Sequence, residues 1–251
     1  IAPEATLQFS RELQNLTYEE HQEIVRILKG LTNEIRQFLA ELHAYQEFFI
    51  KLDLIGAKAK FSHTINGCLP KYSAKKHLFL KEDYHPILWI KNKEQNIETI
   101  PQTIELNEQQ QIIVISGPNA GGKSITLKTI GLLQLMLQSG MLIPVHERSS
   151  TCFFDKILTD IGDNQSIENQ LSTYSYRLKN MRNFLRKCNA NTLFLIDEFG
   201  TGSDPELGGA MAEIFLEEFY EKKAFGIITT HYANLKVLAN ELENVANANM
   251  E

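Results

Sequence analysis

A chain of 251 residues, 43% hydrophobic and 22% charged, holds enough apolar material for a full buried core and an appended subdomain. Its net charge of −6 argues against a surface that coats nucleic acid indiscriminately, while leaving room for a local basic patch. No apolar stretch is long enough to span a bilayer and no signal peptide is evident. Cys68, Cys152 and Cys188 are widely spaced and lack metal-site partners, so reduced thiols and a cytoplasmic location are expected.

The chain opens at Ile1 rather than Met and closes at Glu251 in a polar stretch, which reads as a piece of a longer protein. Residues 1–16 are ambiguous. From Thr17 to about Ser62 the pattern is helical. Thr17-Tyr18-Glu19-Glu20 has the form of a capping box, and Ile24, Ile27, Leu28, Ile35, Leu39, Leu42, Tyr45 and Phe49 recur at helical spacing. Gly30 with Thr32-Asn33 marks either a break between helices or a tolerated glycine within one. This segment is expected to be a packing arm, or a lever to another domain. His63 to Asp83 reads as loop, and its Lys71, Lys75, Lys76 and Lys81 suit either a phosphate backbone or plain solvent. Ile87-Leu88-Trp89-Ile90 and Thr103-Ile104-Glu105-Leu106 read as short strands. The expected division is a helical segment over 1–80 and a second domain over 81–251.

The second domain is organised around Ile112-Ile113-Val114-Ile115-Ser116, an apolar run that enters a glycine-rich loop. The loop is Gly117-Pro118-Asn119-Ala120-Gly121-Gly122-Lys123-Ser124, with the spacing G-x-x-x-x-G-K-S, and it opens onto an apolar helix running to about Ser139. Glycines let backbone N–H groups converge on phosphate oxygens, and the helix turns its positive end to the same anion. Lys123 is placed to neutralise the β and γ phosphates, and Ser124 to hold Mg²⁺. Phe153–Leu158 is an expected strand, Asp160–Gln170 a loop, and Ser172 precedes a helix. Thr192–Ile196 and Phe225–Thr230 are short apolar runs of the buried-strand type. Asp204-Pro205 starts the helix between them. Strands alternating with helices predict an α/β domain with a mainly parallel sheet flanked by helices.

Three predicted strands end in polar residues, and ligands of open α/β sheets sit at the carboxyl ends of strands. Asp197 is placed to support Mg²⁺, Glu198 to orient or deprotonate an attacking water, and His231 to register the γ-phosphate. A P-loop kinase also uses such a loop. The long interval from Lys123 to Asp197, the adjacent Glu198 and the His231 end favour a water nucleophile instead. A third reading is a binding module that uses ATP as structural glue.

The loop, with its Pro118-Asn119 and paired Gly121-Gly122, resembles the MutS form of the phosphate loop. Asp197-Glu198-Phe199-Gly200-Thr201-Gly202-Ser203 resembles that family's Walker B and D-loop, and Thr230-His231-Tyr232 its histidine switch. Asp160–Ile167 and Leu171–Ser175 look like the second bacterial MutS branch, as do Asp204-Pro205-Glu206 and Asn234-Leu235. The resemblance implies an ABC-type P-loop ATPase using ATP and Mg²⁺, with Gly117 to Ile125 around the nucleotide. It implies a homodimer with composite sites, in which Ser172 and Thr173 of one copy close over the γ-phosphate bound by the other. Asn119 would lie beside the phosphates, and Ile100 would give the base apolar contact only. Residues 1–62 resemble the helical segment that follows the clamp, and His85-Pro86 the entry to the ATPase domain. Second-branch proteins are DNA-structure binders that restrain recombination, and some act on stalled ribosomes. Mismatched or branched DNA is therefore the implied partner of the longer protein, with the ribosome as the alternative. Their nuclease domain has no counterpart here, so nuclease activity is not expected of this chain.

Overall fold

The three apolar runs that end at Ser116, Ile196 and Thr229 form the centre of a parallel sheet. The structure is a computed structural model that describes residues 4–118, 121–162, 173–199 and 205–250. Its elements are α1 (Glu4–Arg36), α2 (Leu39–Thr64), β1 (Lys71–Tyr72), β2 (Leu78–Asp83), α3 (Pro86–Glu94), β3 (Gln102–Leu106), β4 (Ile112–Ser116) and α4 (Lys123–Gln138). They continue with β5 (Ser150–Thr151), β6 (Lys156–Asp160), α5 (Thr173–Lys187), β7 (Thr192–Ile196), α6 (Pro205–Glu221), β8 (Phe225–Thr229), α7 (Ala233–Glu241) and β9 (Val245–Asn249). One sheet has the order β6-β7-β8-β4-β9 and is parallel throughout. A smaller sheet, β1-β5-β2-β3, is mixed.

The central strands lack polar alternation because both faces of the parallel sheet are covered. On one face Ile113, Ile115, Leu193, Leu195 and Ile227 pack with Leu127, Ile130 and Leu133 of α4, and with Leu78, Leu80 and Leu106 of the smaller sheet. On the other face Ile112, Val114, Phe194, Ile196 and Ile228 pack with Met181 and Phe184 of α5, Leu216 and Phe219 of α6, and Leu235 of α7. Alternate residues of one strand thus serve two cores. Phe194 stacks on Phe219 with ring centroids 4.4 Å apart, and burying such a ring contributes about 1.5–3 kcal/mol. Across the β7–β8 ladder Phe194 faces Gly226, where a β-carbon would stand 2.3 Å from the ring.

Packing divides the chain into two units, 1–57 and 58–251. In the first, Val25 and Gly56 are half-buried and the other described side chains are exposed, among them Phe9, Leu28, Ile35, Phe48 and Ile55. The capping box expected at Thr17 lies inside α1 instead. The Thr17 hydroxyl donates back to the Leu13 carbonyl at 2.8 Å, as hydroxyl side chains do within helices. Gly30 is tolerated within α1, and the break falls between Arg36 and Leu39.

Three further expectations are corrected in the second unit. The stretch taken as loop carries β1 and β2, and β2 pairs with β3. Two of its lysines are already engaged: Lys76 donates to the Phe153 carbonyl and lies over the Phe154 ring, and Lys81 stands 3.6 Å from Glu82. The apolar run Ile87–Ile90 is helix, not strand. His85 caps α3 by accepting from the Leu88 N–H, and Pro86 occupies the first turn, where its missing N–H costs nothing. The expected strand at 153–158 runs instead from Lys156 to Asp160. The polar C-terminal stretch supplies β9, which lies beside β4. Cys68, Cys152 and Cys188 are unpaired, and burial pushes each thiol up.

Asp83, at the end of β2, is 1% exposed, and neither carboxylate oxygen has a hydrogen-bond partner among the described residues. Burial raises its carboxyl to about 7 from an ordinary 3.8. The folded state therefore keeps the Asp83 proton between about pH 4 and 7 while the unfolded state loses it, so stability falls as pH rises through that window. Asp83→Asn removes this penalty. Its stability advantage over wild type grows by on the order of 4 kcal/mol between pH 4 and pH 8. Chemical denaturation of both proteins across that range checks it, and parallel profiles contradict it. Gly226→Ala forces a methyl into the Phe194 ring and lowers stability by about 3 kcal/mol, read from urea midpoints; an unchanged midpoint contradicts the packing described.

Candidate functional site

The loop between β4 and α4 is shaped by where glycine is required. Gly117 has φ of 135°, and a β-carbon there would stand 2.9 Å from the Met250 carbonyl oxygen. Gly122 has φ of 88° and caps α4 without a side-chain hydrogen bond. The first N–H groups of this helix are thus left for an anion. Lys123 opens α4 and is 3% exposed. Its ammonium donates to the Gly117 carbonyl and lies 3.3 Å from His231 Nε2. The β4 end of the site and the β8 end therefore meet directly.

The end of β7 is joined to the same place through Thr229, the last residue of β8, which is fully buried. The Thr229 hydroxyl donates to Asp197 Oδ1 at 2.6 Å and accepts from the Glu198 N–H at 2.8 Å. Its carbonyl accepts from the Phe199 N–H at 2.9 Å. The Asp197 N–H donates to the Asp160 carbonyl, drawing in the end of β6. Glu198 itself adopts φ of 49°, a left-handed conformation that few non-glycine residues take. Its carbonyl accepts from Arg177 Nη1 of α5 at 2.9 Å. The Thr230 N–H donates to the Ile115 carbonyl, and its hydroxyl accepts from the Tyr232 N–H, which holds the turn that carries His231.

Burial dominates the electrostatics beside these acids. Asp160 is 6% exposed, and desolvation pushes its carboxyl up, opposed by the Arg177 charge and by Asn180, and reinforced by the Asp197 charge. A hydroxyl at Ser124 and a carboxylate at Asp197 are hard oxygen donors of the kind Mg²⁺ takes. Among the described residues no three His, Cys, Asp or Glu side chains gather as a metal cage, and Mg²⁺ bound to phosphates keeps waters and needs no such cage.

Next to the loop an open groove runs between Ile100, Gln102, Gly122, Ile125, Asn249 and Met250. Ile100 is 82% exposed at its lip. Met250 is held by its N–H to the Ser116 carbonyl and packs against Gly117, Gly121 and Gly122. The Asn249 side chain accepts from the Ser116 hydroxyl. Sequence reading missed both residues and Arg177. The alternation of Ala246 and Ala248 with asparagines after Val245 was the available signal for the strand that ends at Asn249, just before Met250.

Of the residues expected in the site, Gly117, Pro118, Gly121, Gly122, Lys123, Ser124 and Ile125 lie on the loop and the first turn of α4. Asp197, Glu198 and His231 follow the ends of β7 and β8, and the bonds above link them to Lys123. Thr173 opens α5. Asn119, Ala120 and Ser172 lie outside the described residues, as do Gly200 to Ser203 of the D-loop resemblance and Asp204.

Comparison with known proteins places this geometry. Residues 113–251 match the family model described as MutS domain V. Over all 251 residues the chain is 41% identical to Endonuclease MutS2 of Finegoldia magna, 39% to that of Ligilactobacillus salivarius and 40% to that of Enterococcus faecalis. In each case the whole chain is covered and 31% of the relative, so the chain spans about a third of the length of the relatives it matches. The expected α/β P-loop architecture and the expected MutS membership are both met, and no described helix is long and apolar enough to cross a membrane. A phosphate loop at the start of α4, an acidic pair after β7 and a histidine after β8 are joined in one bonded cluster, and this chain belongs to the MutS family, carrying its domain V.

Proposed function

We propose that this chain binds and hydrolyses ATP, and that hydrolysis governs the pairing of two copies within a longer DNA-acting protein. The observation that carries the reading is the continuous bonded path from Lys123 to His231 on one side and from Thr229 to Asp197 and Glu198 on the other. ATP phosphates lie along the loop N–H groups and the start of α4. Lys123 exchanges its Gly117 carbonyl and His231 contacts for the β and γ phosphates. His231, released from Lys123, then meets the γ-phosphate and registers its presence. Water attacks the γ-phosphorus in line, Glu198 orients it and takes its proton, and ADP and phosphate leave. Ser124 and Asp197 would hold Mg²⁺, which when bound neutralises charge between the β and γ phosphates. The base lies in the groove against Ile100, Ile125 and Met250.

Enclosure of the γ-phosphate is completed by a second copy, whose α5 N-terminus, with Ser172 and Thr173, brings backbone N–H groups and hydroxyls to the anion. The helical segment acts as a lever towards the rest of the longer protein, where contact with mismatched or branched DNA resides. The relatives are named as endonucleases, and that activity is not assigned to this chain.

Glu198→Gln and Lys123→Ala test the reading together. Glu198→Gln keeps ATP affinity, releases phosphate on the order of a hundredfold more slowly, and accumulates an ATP-dependent dimer in sedimentation velocity. Lys123→Ala loses nucleotide affinity. Wild-type turnover in the first or wild-type affinity in the second overturns the assigned roles. A monomer in every condition overturns the composite site.

A further inference from the structure

Glu198 is held in an uncommon conformation, and the residues that hold it are visible. A left-handed φ on a residue with a side chain persists only where its surroundings fix it. On the N-terminal side, the Glu198 N–H is fixed by the Thr229 hydroxyl, and in the peptide that follows Glu198 the Phe199 N–H is fixed by the Thr229 carbonyl. On the C-terminal side, the Glu198 carbonyl is fixed by a charged donor from another element, Arg177.

Arg177 stands one turn into α5, which begins at Thr173. Its guanidinium reaches back to the strand ends and interacts with the Asp160 charge as well as with the Glu198 carbonyl. With Asp160, Asp197 and Phe199 it lines a small hollow, walled by Met181 of α5 and Met211 and Phe215 of α6. The planar guanidinium holds the carbonyl by a hydrogen bond while its charge acts on the nearby Asp160 carboxylate.

We propose that Arg177 is a positioning residue for hydrolysis: it fixes the backbone turn that aims the Glu198 carboxylate, and it makes that turn and the first turn of α5 one mechanical unit. The proposal rests on Glu198 being the group that activates water. The carboxylate direction follows from the Cα–Cβ direction, which the turn sets. Freeing the carbonyl leaves the peptide after Glu198 held by the Phe199 N–H alone, so φ relaxes out of the left-handed region and the carboxylate swings off the attacking water. Within one copy the nucleotide lies along the loop, α4 and the groove, whose lining does not include Arg177, so affinity for the analogue is expected to hold. The same link gives α5 a route into the chemistry. Anything that seats or displaces the start of α5 pulls on the turn of Glu198 through one side chain.

The test compares wild type, Arg177→Met, Arg177→Lys and Glu198→Gln of this chain. Steady-state phosphate release, affinity for a fluorescent ATP analogue and thermal midpoint are read for each. Arg177→Met keeps the length and loses the donors. It lowers kcat on the order of ten- to a hundredfold, with KM and analogue affinity within about twofold of wild type. Arg177→Lys, which still donates to the carbonyl, recovers part of the loss while the midpoint stays with that of Arg177→Met. Wild-type kcat in Arg177→Met beside a dead Glu198→Gln overturns the proposal and leaves the base assignment standing. Equal loss of kcat, affinity and midpoint in both Arg177 variants also overturns it, because the residue is then merely structural. Full turnover in Glu198→Gln overturns the base assignment and the positioning role with it.

Discussion

The site depends on one buried hydroxyl. Thr229 ends β8 with no exposed surface, and its single oxygen donates to Asp197 and accepts from Glu198. A threonine is suited to this position because it is β-branched, as a central strand favours, and carries both a donor and an acceptor. Through that oxygen the end of β7 is held to the end of β8, one strand from β4 and its loop. The next two residues continue the linkage, Thr230 to Ile115 of β4 and His231 to Lys123. Three strand ends that are separate in sequence become one surface because neighbouring strands run parallel and stop at the same level.

The parallel sheet makes this possible by being buried on both faces. Each central strand divides its residues between two cores, so a polar or mis-sized residue in it disturbs a core whichever way it points. Phe194 and Gly226 show how tightly this is filled: a large ring in β7 occupies the space that a missing side chain leaves in β8. The strands are thereby rigid supports, and the polar residues that follow them inherit that rigidity. Glu198 can be kept in a left-handed conformation only because Thr229 below and Arg177 beside it are themselves fixed.

Much of this was legible in the sequence, and the reason differs by element. Ile112–Ser116, Thr192–Ile196 and Phe225–Thr229 were readable because full burial demands uninterrupted apolar residues, and the loop because glycine, lysine and serine at that spacing have few other uses. Lys123, Asp197, Glu198 and His231 were readable as strand-end groups. α3 was misread because four apolar residues in a row suit a buried strand as well as a helix, and the decisive cap, His85-Pro86, lies just before them. β9 was missed because an edge strand needs only one apolar residue in two, and its asparagines make the stretch polar along the chain. Met250 and Arg177 were invisible for a different reason. Each acts through tertiary contact alone, one against glycines more than a hundred residues earlier and the other on a carbonyl, and neither contact leaves a pattern along the chain. From Thr17 onward the first unit was readable as helix, whereas the start of α1 from Glu4 was not, nor was the internal break, since Gly30 is the weaker former and yet the chain bends at Gln37-Phe38.

The role of the Thr229 hydroxyl is tested by phosphate release in Thr229→Val and Thr229→Ser, with analogue affinity measured alongside. Valine keeps the shape of threonine and removes both hydrogen bonds, whereas serine keeps the bonds and removes only a methyl. Thr229→Val is expected to bind nucleotide as wild type does but to turn over on the order of a hundredfold more slowly, while Thr229→Ser stays within a few-fold of wild type. Wild-type turnover in Thr229→Val would contradict it, since the acidic pair would then work without the bond that joins it to the rest of the site.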